Sequence, residues 1–343
     1  MRNSKIRIGI IGAGTNTKLK HIPGLQAIEG VEIVGVCNRS GESSEKVARE
    51  FGIAKVFDHW KQVVDDPEVD AIVIGTWPYM HCRITLAALE ANKHVMCEAR
   101  MAMNAAEAHA MLAASQARPH LVTQIVPSPM TLHVDKTIKH LLADGYLGDV
   151  LVVNVIDDSG FNDPNAPFHW RRDFDMSGYN TMSLGIWYEA ILRWLGEAAN
   201  VIAKGKVFTK MRRDQFGELK AVKIPEHLDV VADMACGAEA HLQLSSVTGF
   251  AGPARVFLFG NKGTLLFTEN KLYGAKQGDE KLQEILISKE LEGGWRVEEE
   301  FINAIRGNEK ITHTTFEDGV KYMEFTEAVI KSMQLRQEIT LPL

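Results

Sequence analysis

From Lys5 to about Val126, short runs of β-branched residues alternate with segments whose apolar positions recur at helical spacing. The runs predict strands over Ile6–Ile11, Val31–Cys37, Ala71–Gly75, His94–Cys97 and Leu121–Ile125. The segments Glu42–Phe51, Ile84–Ala91 and Ala105–Arg118, rich in Ala, Leu, Glu and Met, predict the intervening helices. Strands alternating with helices are the pattern of βαβ units, so this half is expected to be a doubly wound α/β domain. After Val126 the pattern changes. A helical stretch over Thr131–Leu142 ends at Gly145, and strand-like runs follow at Val150–Ile156, Val201–Phe208, Val230–Ala235, Ala240–Val247, Arg255–Phe259 and Thr264–Thr268. Helices are expected at Met182–Leu195, Val297–Ile305 and Asp318–Leu335. Runs of strands with segregated helices predict an α+β domain built on a large open, mostly antiparallel sheet. The expected division is 1–126 and 127–343.

The first predicted strand contains Gly9 and runs into Gly12-Ala-Gly14-Thr15-Asn16, and a helix carrying Leu19, Ile22 and Leu25 follows. Glycines here permit a tight turn and let a pyrophosphate approach backbone N–H groups at a helix N-terminus, where the dipole favours an anion. Thr15 and Asn16 add side-chain donors. A glycine-rich match alone is weak, but this one follows a strand, opens a helix and heads a βαβ unit. The first domain is therefore expected to be a Rossmann domain that binds a dinucleotide through Gly9, Gly12, Gly14, Thr15 and Asn16. At the end of the second strand stand Asn38, Arg39 and Ser40, with no acidic residue for a ribose 2′-hydroxyl. An arginine beside two small polar donors suits a 2′-phosphate, which favours NADP over NAD. The alternatives are that Asn38 serves a plain ribose and that Arg39 is solvated or stacks on adenine.

Composition narrows the class. The 343 residues carry 38 Lys and Arg against 44 Asp and Glu, a formal charge of -6 without a block of like charge, so nucleic-acid binding through a basic face is not expected. MRNSKIRIGI lacks the apolar core of a leader, and no apolar run reaches the length of a membrane span. Cys37, Cys82, Cys97 and Cys236 form no metal-type pairing, and three of the four lie in apolar runs that predict burial. A cytoplasmic protein with reduced core thiols is the expectation. His133 and His140 share a helix face without a supporting set of Cys or carboxylates, so no metal site is expected. Trp60, Trp194 and Trp295 are expected in the core.

The glycine loop, Thr76-Trp77-Pro78-Tyr79-Met80-His81 and Lys93-His94-Val95-Met96-Cys97-Glu98 resemble the glucose-fructose oxidoreductase, inositol dehydrogenase and MocA family. The resemblance extends through Gly145-Tyr-Leu-Gly148-Asp149, Trp170-Arg171, Gly260-Asn-Lys-Gly263-Thr264-Leu265 and the closing Ile339-Thr-Leu-Pro342, and so covers the whole chain. It implies a nucleotide-binding domain followed by a substrate and oligomerisation domain. It also implies hydride transfer between a nicotinamide cofactor and a carbon of a sugar, cyclitol or related polyol. Thr76, Trp77, Pro78, His81, Glu98 and Gln124 fall where the resemblance implies cofactor contacts. The departures bear on mechanism. Where the family usually has Glu-Lys-Pro this chain has Glu98-Ala99-Arg100, and where it has Asp-Leu-Gly-Val-His this chain has Ser183-Leu184-Gly185-Ile186-Trp187. The family's Asn-x-Arg-Phe-x-Pro corresponds to Gln124-Ile-Val126-Pro-Ser-Pro129. All three usual proton-handling positions are changed.

Oxidising an alcohol requires a base for its proton, so other residues must serve. Arg100 stays protonated and can only clamp an oxygen or steady an oxyanion, unless it forms a surface ion pair. His169, within Phe168-His169-Trp170-Arg171-Arg172-Asp173, is the leading acid/base candidate because a free imidazole titrates near neutrality; its alternative is a loop histidine without a role. Arg171 and Arg172 suit a carboxylated or polyhydroxylated substrate, with one of them expected to pair with Asp173 or Asp175. Before the central helix Tyr179 adds a phenol that could act as a catalytic acid, and Asn180 adds an amide suited to substrate contact. On that helix Trp187 could stack on a sugar, and Glu189 could act as an acid. Packing against Ile191 and an i,i+4 pair with Arg193 are the respective alternatives. Three functions follow: an oxidoreductase with rearranged acid/base groups, a lyase or glycoside hydrolase working through transient oxidation, and a nucleotide-binding sensor without turnover. The leading one is the NADP- or NAD-dependent oxidoreductase, assembled as a homodimer or homotetramer through the broad sheet.

Overall fold

A computed structural model describes residues 5–343; Met1–Ser4, which begin both the expected first domain and the stretch read for a leader, lie outside the described residues. The chain forms two compact units. One comprises Met1–Pro127 with Arg296–Val320, the other Ser128–Trp295 with Lys321–Leu343. The expected contiguous division is thereby corrected, because a late segment returns to the first unit. Tertiary bonding holds it there: Ile125 and Thr314 exchange backbone N–H···O bonds at 2.9 and 3.2 Å, and Gln124 donates to Glu300 and to the His313 carbonyl. No local pattern in the sequence encodes those contacts.

The first unit contains β1 (Ile6–Ile11), a π-helical turn Thr17–His21 running into α1 (Ile22–Gln26), β2 (Val31–Cys37), α2 (Gly41–Phe51), β3 (Lys55–Val56), α3 (Trp60–Asp65), β4 (Ala71–Ile74), α4 (Pro78–Glu90), β5 (His94–Cys97), α5 (Ala105–Gln116) and β6 (Thr123–Ile125). Its six strands run in the order β3-β2-β1-β4-β5-β6, and every pairing is parallel. Helices cover both faces, which is why Ile8, Ile10, Ile72, Ile74 and Val95 have no exposed surface and the strands read as continuous apolar runs. Only β3, two residues long, escapes the sequence pattern. The order reverses between β1 and β4, the switch point at which such sheets bind ligands beyond the carboxyl ends of their strands.

The second unit holds α6 (Asp135–Ala143), β7 (Val150–Asp158), the short α7 (Phe174–Ser177), α8 (Leu184–Leu195), β8 (Ala198–Lys206), a separate ribbon of β9 (Met211–Arg213) and β10 (Leu219–Ala221), β11 (His227–Met234), β12 (Glu239–Ser245), β13 (Arg255–Gly260), β14 (Gly263–Thr268), β15 (Lys271–Lys276), β16 (Gln283–Glu284) and β17 (Ile339–Thr340). The main sheet runs β16-β15-β14-β13-β7-β12-β11-β8-β17, antiparallel throughout except where β7 pairs with β12. Alternate residues are buried: Leu228, Val230, Ala232 and Met234 of β11, Leu242 and Leu244 of β12, Val256 and Leu258 of β13. The other face shows Ile202 and Phe259 to solvent. In this unit α8 is buried nearly all round, and Tyr188 stacks on Phe325 with ring centroids 3.6 Å apart.

Two core expectations are corrected. Cys37 and Cys97 are buried, but Cys82 is half-buried and Cys236 is exposed. Of the three tryptophans only Trp194 is buried, while Trp60 and Trp295 are half-exposed. Among the described residues no helix is long and apolar enough to cross a membrane.

Candidate functional site

The carboxyl end of β1 and that of β4 meet at the switch point with almost no spare space. Gly12 adopts a φ of +88°, and a Cβ there would lie 2.6 Å from the Thr76 amide nitrogen. A Cβ on Gly75 would lie 2.2 Å from the Gly12 carbonyl oxygen. Glycine at both positions is therefore a steric requirement. Gly14 differs: it is exposed, and a Cβ there would lie 3.6 Å from the Gly75 oxygen, an ordinary contact, which leaves room above the helix that opens at Thr15 and Asn16. The first amides of a helix lack intrahelical acceptors, and here they face the open loop.

A groove runs from this loop along the end of β2, lined by Gly12, Gly14, Arg39, Ser40, Ser43, Thr76, Trp77 and Tyr79. A neighbouring recess adds Trp60, Met80 and Ile84, a flat apolar lining suited to a purine. The Arg39 guanidinium lies over the Trp77 ring at 5.5 Å. The Thr76 hydroxyl in the wall is buried with no hydrogen-bond partner among the described residues. An anion-binding helix start, an apolar slot and an exposed arginine together fit an adenine dinucleotide.

Several residues expected to touch the cofactor are committed elsewhere. Gly9 is buried within β1, where a Cβ would meet Val63 at 2.4 Å, so it serves packing against α3. Asn38 accepts from the Ala13 amide at 2.6 Å and donates to Ser43 Oγ at 2.9 Å, tying the phosphate loop to α2. His81 has no exposed surface and bridges the Thr76 and Arg100 carbonyls, each at 2.9 Å; burial holds its pKa below the ordinary value. It staples the loops after β4 and β5. Gln124 is fully buried in its bonds to Glu300 and His313, and Pro78 is buried at the first position of α4. Gly9, His81, Gln124 and Pro78 shape the walls and are closed to a ligand, whereas Asn38 is half-buried and still lines the groove. Glu98, half-buried after β5, accepts from Asn16 Nδ2 at the loop.

In the second unit the structure separates residues that the sequence places together. Glu189 is 2 % exposed, takes the Ser128 amide at 3.1 Å and pairs with Arg193 at 2.6 Å. Arg172 pairs with Glu226, not with Asp173 or Asp175; Glu226 also takes Arg212 at 2.8 Å and the amides of Phe208 and Thr209. Asn180 is 1 % exposed and donates to the Ser177 carbonyl at 2.7 Å. Burial closes Glu189 and Asn180 to a ligand, which corrects the expectation of catalytic or substrate contact there, and the expected pairing of an arginine with Asp173 or Asp175 is corrected to Arg172 with Glu226. Arg100 of the first unit is likewise buried, neither a surface pair nor an open clamp. Arg171 is exposed, with its guanidinium 4.4 Å over the Trp170 ring. Tyr179 packs edge-on against Phe174 and lines a small recess with Lys223 and Gln334. His169 is exposed and caps the turn Trp170–Arg172, its Nδ1 accepting from the Arg171 amide at 3.2 Å. Partial burial and the charges of Arg171 and Arg172 lower its pKa.

The residue that sequence reasoning missed here is Asp157, near the end of β7. Its Oδ2 accepts from Ser183 Oγ at 2.5 Å and from Trp187 Nε1 at 2.7 Å, while Oδ1 has no partner among the described residues. Trp187, 1 % exposed, is therefore a buried donor rather than a stacking platform. Asp157 sits in a strand read only for its apolar alternation, and nothing local announces that the side chains at 183 and 187 converge on it.

The comparisons with known proteins agree with this architecture. Residues 6–125 match the model of an oxidoreductase family with an NAD-binding Rossmann fold, and residues 136–266 match that of the GFO/IDH/MocA C-terminal domain. The chain belongs to the GFO/IDH/MocA oxidoreductase family. Among curated relatives, the 1,5-anhydro-D-fructose reductase of Ensifer adhaerens is 37% identical over 110 residues, 32% of this chain and 33% of that protein. The levoglucosan dehydrogenase of Pseudarthrobacter phenanthrenivorans is 26% identical over 144 residues, 42% of this chain and 37% of that protein. With an uncharacterized oxidoreductase of Rhizobium meliloti the match spans 55% of each chain, so the chain covers about half the length of that relative. Solved structures share the fold throughout. An oxidoreductase domain protein from Kribbella flavida superposes with a TM-score of 0.87 at 22% identity, covering 99% of this chain and 100% of that one. A levoglucosan dehydrogenase in complex with NADH and L-sorbose gives 0.86 at 20% identity, covering 98% and 99%. Family membership carries the NAD-binding fold and the oxidoreductase class.

Proposed function

We propose that this protein is a nicotinamide-dependent oxidoreductase of a sugar-like or polyol substrate, in which Asp157 handles the substrate proton. The observation that carries the reading is the Asp157 cluster. A carboxylate is held by Ser183 and Trp187, the two positions at which the resembling family places its Asp and His. When bound, a nicotinamide takes or returns a hydride. The remaining requirement is a group that receives the hydroxyl proton, and the unpartnered Oδ1 of Asp157 supplies it. Two donated hydrogen bonds fix the carboxylate's orientation and leave one oxygen free. Arg171, exposed over Trp170, is proposed to bind substrate oxygens, and Tyr179 to border the same region. The relatives named for sugar-like compounds support the substrate class.

The cofactor reading is NADP ahead of NAD. Arg39 stands exposed at the end of β2 with Ser40 and Ser43 beside it in the groove, a set of donors suited to a 2′-phosphate. The open face of the second sheet, with Ile202 and Phe259 exposed, is proposed to be covered by another copy of the chain; light scattering showing a monomer at micromolar concentration would remove that part. The functional test offers NADP and NAD separately with a panel of anhydrosugars, sugars, sugar acids and cyclitols. Both nicotinamide absorbance and substrate loss are followed. Cofactor reduction in step with substrate loss supports the reading. Substrate loss that needs cofactor but leaves no net reduction would replace it with transient-oxidation chemistry.

A further inference from the structure

A buried histidine beside the phosphate loop has no part in the site described above. His21 has no exposed surface; its Nε2 lies 2.9 Å from Glu98 Oε1 and its Nδ1 2.5 Å from Glu298 Oε1. Glu98 follows β5, and Glu298 stands in the first turn of the helix Val297–Ile305 within the same unit. Gly24 leaves room for that carboxylate, since a Cβ there would lie 3.0 Å from its Cγ and Cδ. The Glu98 side chain is 15% exposed, and at that end it accepts from Asn16 Nδ2 while its Oε2 accepts from the Ala99 amide at 3.1 Å. The line Glu298, His21, Glu98, Asn16 thus runs from the interior to the edge of the loop.

The position of this line in the sheet gives it a meaning. In a doubly wound sheet the two halves of a dinucleotide lie on either side of the switch point. Arg39 and the apolar slot mark the β2 side as the adenosine half, and Glu98, beyond β5, stands on the other. A set that served stability alone would have no need to reach the open loop, and this one ends on the exposed Asn16. We infer that His21 is a positioning residue for the nicotinamide half of the cofactor: clamped by Glu298, it fixes the Glu98 carboxylate beside Asn16, where Glu98 accepts from the hydroxyls of the nicotinamide-side ribose. The inference rests on the dinucleotide reading above. Burial alone would lower the His21 pKa, but its hydrogen bonds to Glu298 and Glu98 outweigh burial and raise it to about 9. Burial likewise pushes the Glu98 pKa up, and its bonds to His21 and Asn16 hold it below the carboxylate norm. Glu98, Glu298 and the neutral Asn16 amide face the imidazole.

Calorimetric titration of the full chain with NADP, NAD and ADP tests this, because ADP keeps the adenosine and pyrophosphate but lacks the distal ribose and nicotinamide. His21→Gln should weaken the dinucleotides by about tenfold, the scale of a lost charge-assisted hydrogen bond, and leave ADP within about twofold. The wild-type preference for dinucleotide over ADP should shrink as the pH rises past about 9, and that of the variant should not. Asn16→Ala cuts the same line at its exposed end without disturbing the interior, and should reproduce the selective loss even if His21→Gln folds poorly. Equal weakening of ADP and dinucleotide in both variants, or no weakening in either, overturns the inference. A wild type that binds neither ligand overturns the cofactor reading itself.

Discussion

Replacing His21 with Gln should change how stability depends on pH, and the size of the change follows from the structure. The folded pKa, raised from 6.5 to about 9, exceeds the unfolded value. The stabilising contribution is therefore complete below pH 6.5, where both states are protonated. It declines as the pH climbs, because only the folded state still holds the proton, and it is gone above about 9. At about 1.4 kcal/mol per pKa unit, the interval corresponds to about 3 kcal/mol. The imidazole has no exposed surface, so solvent screening does not reduce that figure. Urea unfolding of wild type and His21→Gln at closely spaced pH values from 6 to 10 measures it. Subtracting the two curves removes the lysines, tyrosines and cysteines that titrate in both. The difference should fall by about 3 kcal/mol between pH 6.5 and 9. A difference that stays flat across that window would show that His21 is neutral in the folded protein and refute the clamp.

Gly12→Ala should abolish detectable dinucleotide binding and cost about 1–3 kcal/mol of stability, because a Cβ at a φ of +88° would lie 2.6 Å from the Thr76 amide; binding and melting together check it. Arg39→Ala should weaken NADP by about tenfold while changing NAD far less, and equal losses for both would assign Arg39 to the adenine. Glu226→Ala should destabilise the second unit by about 3–5 kcal/mol, since it strands the buried Arg212 and half-buried Arg172 guanidinium groups. Cofactor affinity, which resides in the first unit, should be unchanged in that variant.

How much was legible in the sequence depended on how local the signal was. The strands Ile6–Ile11, Val31–Cys37 and His94–Cys97 fall where the apolar runs place them, since parallel strands buried on both faces leave an unbroken run. The glycine loop was legible because its steric demands are met within one turn. The site residues were less so. His81, Gln124, Arg172 and Glu189 carry the right chemistry for a site, but each is spent on a partner that sequence order hides: the Arg100 carbonyl, Glu300, Glu226 and the Ser128 amide. Arg172 and Glu226 are 54 positions apart, His21 and Glu298 are 277. Asp157 shows the converse. Its neighbours in sequence are a strand, and only the approach of α8 reveals a carboxylate held by Ser183 and Trp187. Polar side chains acquire their roles from tertiary partners, whereas apolar periodicity is visible along the chain itself.

The central claim is that Asp157 takes the place of the missing proton-handling residues. The most direct test is the rate of cofactor reduction by Asp157→Asn beside His169→Ala, with the best substrate of the panel and cofactor at saturation. Asn keeps the size of the side chain and an oxygen for Trp187 and Ser183, but it cannot accept the substrate's proton. Asp157→Asn should lower kcat by about 100-fold or more with cofactor affinity preserved, while His169→Ala should cost less than about tenfold. The reverse ranking, with His169→Ala inactive and Asp157→Asn near wild type, would contradict the account and return the proton to the exposed imidazole.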